Sequence, residues 1–190
     1  MIQKWWVTLI LLPFVFFSMQ QVWQALTFNI FFSISYEFPF PYNIVNFFLR
    51  NFDLIVHEAG HTFFSIFGNR FLTILGGSIY QVLLPAIIVA FTWFNSYKKG
   101  MQLALIYLGF SWMSVAMYAA DGAERQLPLI ADLGQESHDW YNILIHLNML
   151  ENHMSFAFTF AFIGAGSYLS GLILPLFQRE YKQVELDLKL

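Results

Sequence analysis

His57, Glu58 and His61 sit in the run His57-Glu58-Ala59-Gly60-His61, two imidazoles four residues apart with a carboxylate beside the first. On a helix such residues share a face, so two neutral imidazoles at this spacing can close on a single Zn²⁺ ion. Glu58 would then face a zinc-activated water and is the candidate general base. Asp53 lies one turn upstream of His57. It is a candidate to accept the hydrogen bond of that ring's second nitrogen, which would fix the tautomer.

The surroundings sharpen this reading. The chain has 190 residues, of which 58% are hydrophobic and only 11% charged, against about 25% charged in an ordinary soluble domain. Near the middle of a bilayer each ionisable side chain costs roughly 2.5–3.5 kcal/mol, so a His, Glu, His set there needs a partner or a task. Five apolar runs, at about 5–28, 44–67, 79–94, 103–120 and 155–177, each approach the ~20 residues that cross a bilayer as a helix. The second carries the metal motif. The fold class expected is an all-α polytopic membrane protein in one domain over 1–190, with its core at 45–150 and a polar tail at 178–190.

Trp and Tyr gather near the ends of the runs, at Trp5, Trp6, Tyr36, Tyr42, Trp93 and Tyr97, where headgroup anchors belong. The first run is too long for a secretion signal and lacks a small-residue cleavage site, so it is expected to remain as an anchor. There is no Cys, and any metal must be held by imidazole and carboxylate. A net charge of −3 with no basic stripe excludes nucleic acid as a partner. The expected partners are the lipid bilayer and a membrane-protein substrate.

Between the runs, Pro39 and Pro41 oppose a regular helix and predict an interfacial connector. Gly68-Asn69 predicts a helix stop. The next six residues, 70–75, followed by Gly76-Gly77, are read as a short extended segment ended by a glycine turn; an extended edge there could pair with an unwound substrate. Gln81 and Pro85 follow in the third run, as a site amide and a kink. Asn95 to Gly100 is a hairpin connection between antiparallel helices. From His138 the long polar interval 121–153 becomes periodic and predicts an amphipathic interfacial helix.

A catalytic zinc takes three protein ligands and leaves one position open, so His57 and His61 need a third. With five crossings, the end of the motif helix, the start of the third span, the end of the fourth and the 121–153 interval share one side. The candidates there are Asp121, Glu124, Asp132, Glu136, His138 and Asp139. His138 is also a candidate donor beside the metal. Arg125 and Gln126 are read as loop solvation, or as holding a substrate carbonyl.

The motif, the short segment with Gly76-Gly77, Gln81, Pro85 and a distal Asp together resemble the site-2 protease family of intramembrane zinc metalloproteases, in its compact form without extra soluble domains. The resemblance covers about 45–144. It implies one Zn²⁺ per chain, an Asp as third ligand, and hydrolysis of peptide bonds in or near a transmembrane segment of another protein. Asp121-Gly122 matches the family's Asp-Gly pair but lacks the usual preceding Asn-Pro, as does Asp139. His138-Asp139 resembles the Ser-Asp-Ala element of compact members and opens a helix, where an acid is electrostatically favoured. Asp139 is therefore the preferred third ligand and Asp121 the alternative.

Lys4, Arg70 and Arg125 flank one side, and Lys98, Lys99, Arg179, Lys182 and Lys189 the other. The positive-inside rule then predicts a multi-pass protein with a cytoplasmic C-terminus. A different class of function also fits the motif: a non-proteolytic scaffold or transport component that binds or passes Zn²⁺ or protons.

Overall fold

Helices account for all the regular structure described. The computed structural model describes residues 2–28, 38–127 and 134–177, and no strand occurs among them. The order is α1 (Ile2–Phe28), α2 (Tyr42–Ser65), α3 (Arg70–Phe94), α4 (Lys98–Ala120), α5 (Asp139–His146) and α6 (His153–Ile173). Asp132, the 178–190 tail, and three of the basic residues behind the expected orientation, Arg179, Lys182 and Lys189, lie outside the described residues.

Four segments are long and apolar enough to cross a bilayer, Lys4–Phe28, Arg70–Phe94, Lys98–Ala120 and Leu150–Phe177, as in an integral membrane protein. Their outward residues are large and apolar, among them Phe16, Trp23, Ile87, Phe91, Phe162 and Leu169. Such continuous apolar exposure suits hydrocarbon rather than water.

The expected second span, α2, is long enough but not apolar enough to join that set. Its 24 residues would reach about 36 Å. They include Asn43, Asn46, Arg50, Asn51, Asp53, His57, Glu58 and His61. Those groups do not all share one face: Asp53 and His57 are buried with Val56 and Gly60, whereas Asn43, Arg50, Asn51 and Glu58 are exposed on the same helix as the outward Phe47, Phe48, Phe52 and Ile55.

The extended segment expected at 70–75 is helical instead. Gly68 takes φ +64° and ends the path of α2. Asn69 then caps α3, its side chain accepting from the Leu72 N–H at 3.1 Å, so the helix starts at Arg70 and runs through both glycines. A six-residue apolar run carries no decisive period of its own, and the cap settles its state.

At the centre, α4 packs on α6, α3 and α1. Phe110 of α4 meets Phe14 of α1 with ring centroids 5.8 Å apart. Gln102 of α4 donates to Thr8 of α1 at 2.7 Å, and Thr8 donates to the Leu172 carbonyl of α6 at 3.1 Å. Interhelical bonds of this kind contribute about 0.6 kcal/mol each in a membrane bundle, so they set register more than stability. The α3–α4 connection is the expected tight turn, Asn95 to Tyr97.

α5 matches the periodic stretch read after His138. It is a short amphipathic helix that buries Trp140, Ile143 and Leu144 and leaves Ile145 and His146 exposed.

Candidate metal centre

The site forms where α2 crosses α3 and the first turn of α5 folds down between them. The crossing is close because glycine permits it. A Cβ on Gly60 of α2 would run into the Gly76 carbonyl of α3. One on Gly77 would come to 2.6 Å from His57 Nε2 and 2.7 Å from His61 Nε2. The pair expected to make a turn thus serves the crossing within a helix, Gly76 lying against Phe64 and Gly77 against the two imidazoles.

Each ring is held by its Nδ1. His61 Nδ1 lies 2.8 Å from the Thr73 carbonyl, which can only accept, so this nitrogen carries the hydrogen. His57 Nδ1 lies 3.1 Å from Gln81 Oε1. Gln81 turns its amide NH₂ to Asp53 Oδ2 at 3.0 Å, which fixes its oxygen toward the ring, and Ser111 donates to Asp53 Oδ1 at 3.0 Å. Asp53 therefore does not meet His57 directly, as the one-turn spacing had suggested. The amide reaches across from α3 and occupies that position, and the carboxylate orients the amide.

With both hydrogens on Nδ1, neutral rings present bare lone pairs at Nε2. Both Nε2 atoms face one oxygen of Asp139, at 2.8 Å for His57 and 3.1 Å for His61. Without an ion, protons on Nε2 join the rings to the acid: burial opposes ionisation of Asp139, but hydrogen bonds and Coulombic attraction from protonated imidazoles outweigh that and hold its carboxyl at about 2. Two lone pairs and a carboxylate oxygen repel one another unless positive charge lies among them. Among the described residues, His57, His61 and Asp139 are the group able to hold a metal ion, with ligand atoms all within 4.8 Å of one another.

Asp139 is delivered by a second buried pair. His138 is the N-cap of α5, its Nδ1 accepting from the Tyr141 N–H at 3.3 Å. Nε2 then carries the hydrogen and gives it to Asp121 Oδ2 at 3.2 Å. Asp121 also accepts from the backbone N–H groups of Gln126 and Leu127, each at 2.8 Å. Trp140 adds a bond from Nε1 to Ser78 of α3 at 3.2 Å. Asp121 and His138 are consequently spent on holding the loop and the start of α5, and neither belongs to the metal group.

Glu58 is exposed on α2, and its carboxylate acts electrostatically on both His61 and Tyr118. Glu124 and Glu136 are exposed outside the metal group. Arg125 lies over the Tyr141 ring at 4.1 Å, and the Gln126 backbone serves Asp121. Pro85 is buried within α3.

Several contributors escaped the reading of the sequence. Thr73 acts through a carbonyl, which carries no residue signature. Gly77 was visible, but its service to a helix crossing was not. Tyr118 of α4 accepts from the Asp139 N–H at 3.1 Å, with its ring 5.7 Å from that of His57. A tyrosine in an apolar span needs a partner for its hydroxyl, and that was the available signal. Comparison with family models, with curated proteins and with solved structures finds no match to this chain in any of the three.

Proposed function

We propose that this chain is a zinc-dependent intramembrane endopeptidase, similar in its site to the compact site-2 proteases. It would bind one Zn²⁺ through His57, His61 and Asp139 and cut peptide bonds in or near transmembrane segments of other membrane proteins. The observation that carries this is the convergence of two Nε2 lone pairs on one Asp139 oxygen, at 2.8 and 3.1 Å. Two atoms ligating one tetrahedral zinc at its usual bond lengths stand about 3.3 Å apart, close to that spacing. The lack of a side chain at Gly77, which lets the Nε2 edges of both imidazoles lie against α3, supports the same reading. In this reading α2 is the fifth span, with its apolar face toward lipid.

A zinc ion bound there would acidify a water and polarise the scissile carbonyl. The chain's own residues do the rest. Thr73 and Gln81 hold the imidazoles in the ligating tautomer, and Asp53 holds Gln81. Glu58, adjacent to His57 and exposed, takes the water's proton on a carboxylate oxygen. It returns that proton to the amide nitrogen as the C–N bond breaks, leaving an amine and a carboxylic acid that then loses its own proton to solvent.

The test is cleavage of a single-span membrane protein by the purified full chain in detergent micelles with added Zn²⁺. Wild type should cut and bind one zinc; Glu58→Gln should bind zinc equally and lose at least 10³-fold in rate, on the scale of a missing general base together with its charge. Cleavage undiminished in Glu58→Gln, or no cleavage by zinc-loaded wild type, overturns the assignment. Movement of zinc across liposomes without cleavage would instead mark a transport component.

A further inference from the structure

A hydrolytic zinc site must answer the negative charge that develops on the carbonyl oxygen, and a preorganised hydrogen-bond donor is the usual complement to the metal. The polar side chains around the ligand group are nearly all committed elsewhere. His138, the donor suggested by position in sequence, gives its hydrogen to Asp121. Gln81 gives its amide to Asp53, as does Ser111 its hydroxyl. Ser78 lies under Trp140, and the Thr73 hydroxyl donates to the Asn69 carbonyl.

Tyr118 is different. Its ring is wedged between His57 and His138, with centroids 5.7 and 4.4 Å away. Its oxygen accepts from the Asp139 N–H at 3.1 Å and its hydroxyl also bonds the Asp139 side chain, so both of its partners belong to the metal-ligand residue itself. An ion held on the Asp139 carboxylate would take the place of that bond and leave the phenolic hydrogen for another oxygen brought to the metal.

We infer that Tyr118 is a catalytic residue, donating its O–H hydrogen bond to the oxygen of the scissile carbonyl as charge gathers there. This rests on the endopeptidase reading above. As the water oxygen bonds to the carbonyl carbon, the π pair moves onto the carbonyl oxygen, and Tyr118 bonds that oxygen without surrendering its proton. Glu58 holds the proton from water and passes it to the departing nitrogen. The bond from the Asp139 N–H serves in the free protein to aim the hydroxyl.

Tyr118→Phe keeps the ring between the two imidazoles and removes only the hydroxyl. In the full chain in micelles it should lower kcat by about 10²–10³-fold, the usual loss for one such donor. KM and zinc stoichiometry should stay within about threefold of wild type. Binding of a peptide phosphinate, whose tetrahedral oxygens imitate the charged carbonyl, should weaken by a similar factor as kcat, while binding of a simple thiol to the zinc stays unchanged. Gln81→Leu is the companion variant, loosening His57 through its Nδ1 and leaving both bonds between Tyr118 and Asp139 in place; it should weaken zinc and leave the ratio of phosphinate to thiol affinity alone.

Unchanged kcat and phosphinate affinity in Tyr118→Phe would overturn the role. So would zinc affinity falling in step with activity, since Tyr118 would then only be positioning Asp139. Wild type that holds zinc but neither cleaves nor binds the phosphinate overturns the endopeptidase reading itself. Cleaving wild type with an equally active Tyr118→Phe overturns this role alone.

Discussion

His138 and Asp121 form a buried pair, Nε2 to Oδ2 at 3.2 Å, one residue upstream of the carboxylate that meets both imidazoles of α2. Neither side chain has more than a trace of accessible surface. The pair is the anchor from which α5 presents Asp139, since His138 also caps the helix by accepting from Tyr141.

That division of labour separates the two acids in a binding experiment. Asp139→Asn removes a charged ligand, and zinc affinity should fall by at least 10²-fold in a chelator-competition titration. Asp121→Asn removes an acceptor that serves the ligand's support, and about 10-fold is expected, the lower end for outer-shell changes. It should also cost about 1–3 kcal/mol of stability through the donors left unpaired. The reverse order of affinities would make Asp121 the third ligand.

Gly77→Ala tests the crossing. Alanine favours a helix interior by about 1 kcal/mol over glycine, so α3 itself gains from the change. Its Cβ, however, would stand 2.6 Å from His57 Nε2 and from His61 Cε1. The expected result is an intact helical spectrum with bound zinc well below one per chain. Full zinc occupancy in the variant would show that the ion does not occupy the space above Gly77.

How much of this was legible beforehand differs by residue, for physical reasons. His57 and His61 follow from local geometry, because a four-residue spacing on a helix fixes their shared face whatever the bundle does. Asp139 is distant in sequence and was chosen by its place at the start of a helix and by a family resemblance, not by a distance. Two readings failed at contacts between elements. The 70–75 run was read as extended because its glycine pair resembles a turn, yet Asn69 caps a helix there and the glycines serve packing against α2. Asp53 was paired with His57 on one helix, with no way to see an amide arriving from α3. The apolar runs foretold the bundle, while the polar content of α2 keeps composition alone from counting it as a span.

Gln81→Leu is the sharpest probe of the Asp53–Gln81–His57 chain. Leucine has similar bulk but neither accepts from the His57 Nδ1 nor donates to Asp53, leaving a buried carboxylate short of one partner. Zinc affinity should fall about 10–100-fold, as when an imidazole ligand loses its outer partner. Gln81→Glu should do less harm to His57, because a carboxylate still accepts from Nδ1, yet it faces Asp53 with a second acid and should destabilise the apo fold. If Leu and Glu leave zinc affinity equal to wild type, His57 is oriented by something other than Gln81.

Metal removal tests the charge balance of the cluster. Apo protein retains two imidazoles and a carboxylate in contact, with protons in place of the ion, whereas a ligand that binds only the folded state adds stability in proportion to RT ln(1 + [L]/Kd). At free Zn²⁺ 100-fold above Kd this amounts to about 2.7 kcal/mol. Thermal unfolding in micelles should therefore shift upward with added Zn²⁺ and downward with chelator, and the shift should vanish in the His57→Ala, His61→Ala and Asp139→Asn variants. Because the ion must displace protons from the rings, zinc binding in a weakly buffered solution should release protons, measurable with an indicator dye. Calcium at equal concentration should produce neither effect, since it prefers six to eight oxygen ligands and the cluster offers two nitrogens and one carboxylate. A calcium-induced shift as large as that from zinc would mean that the donors gather around general charge and not around a nitrogen-seeking metal.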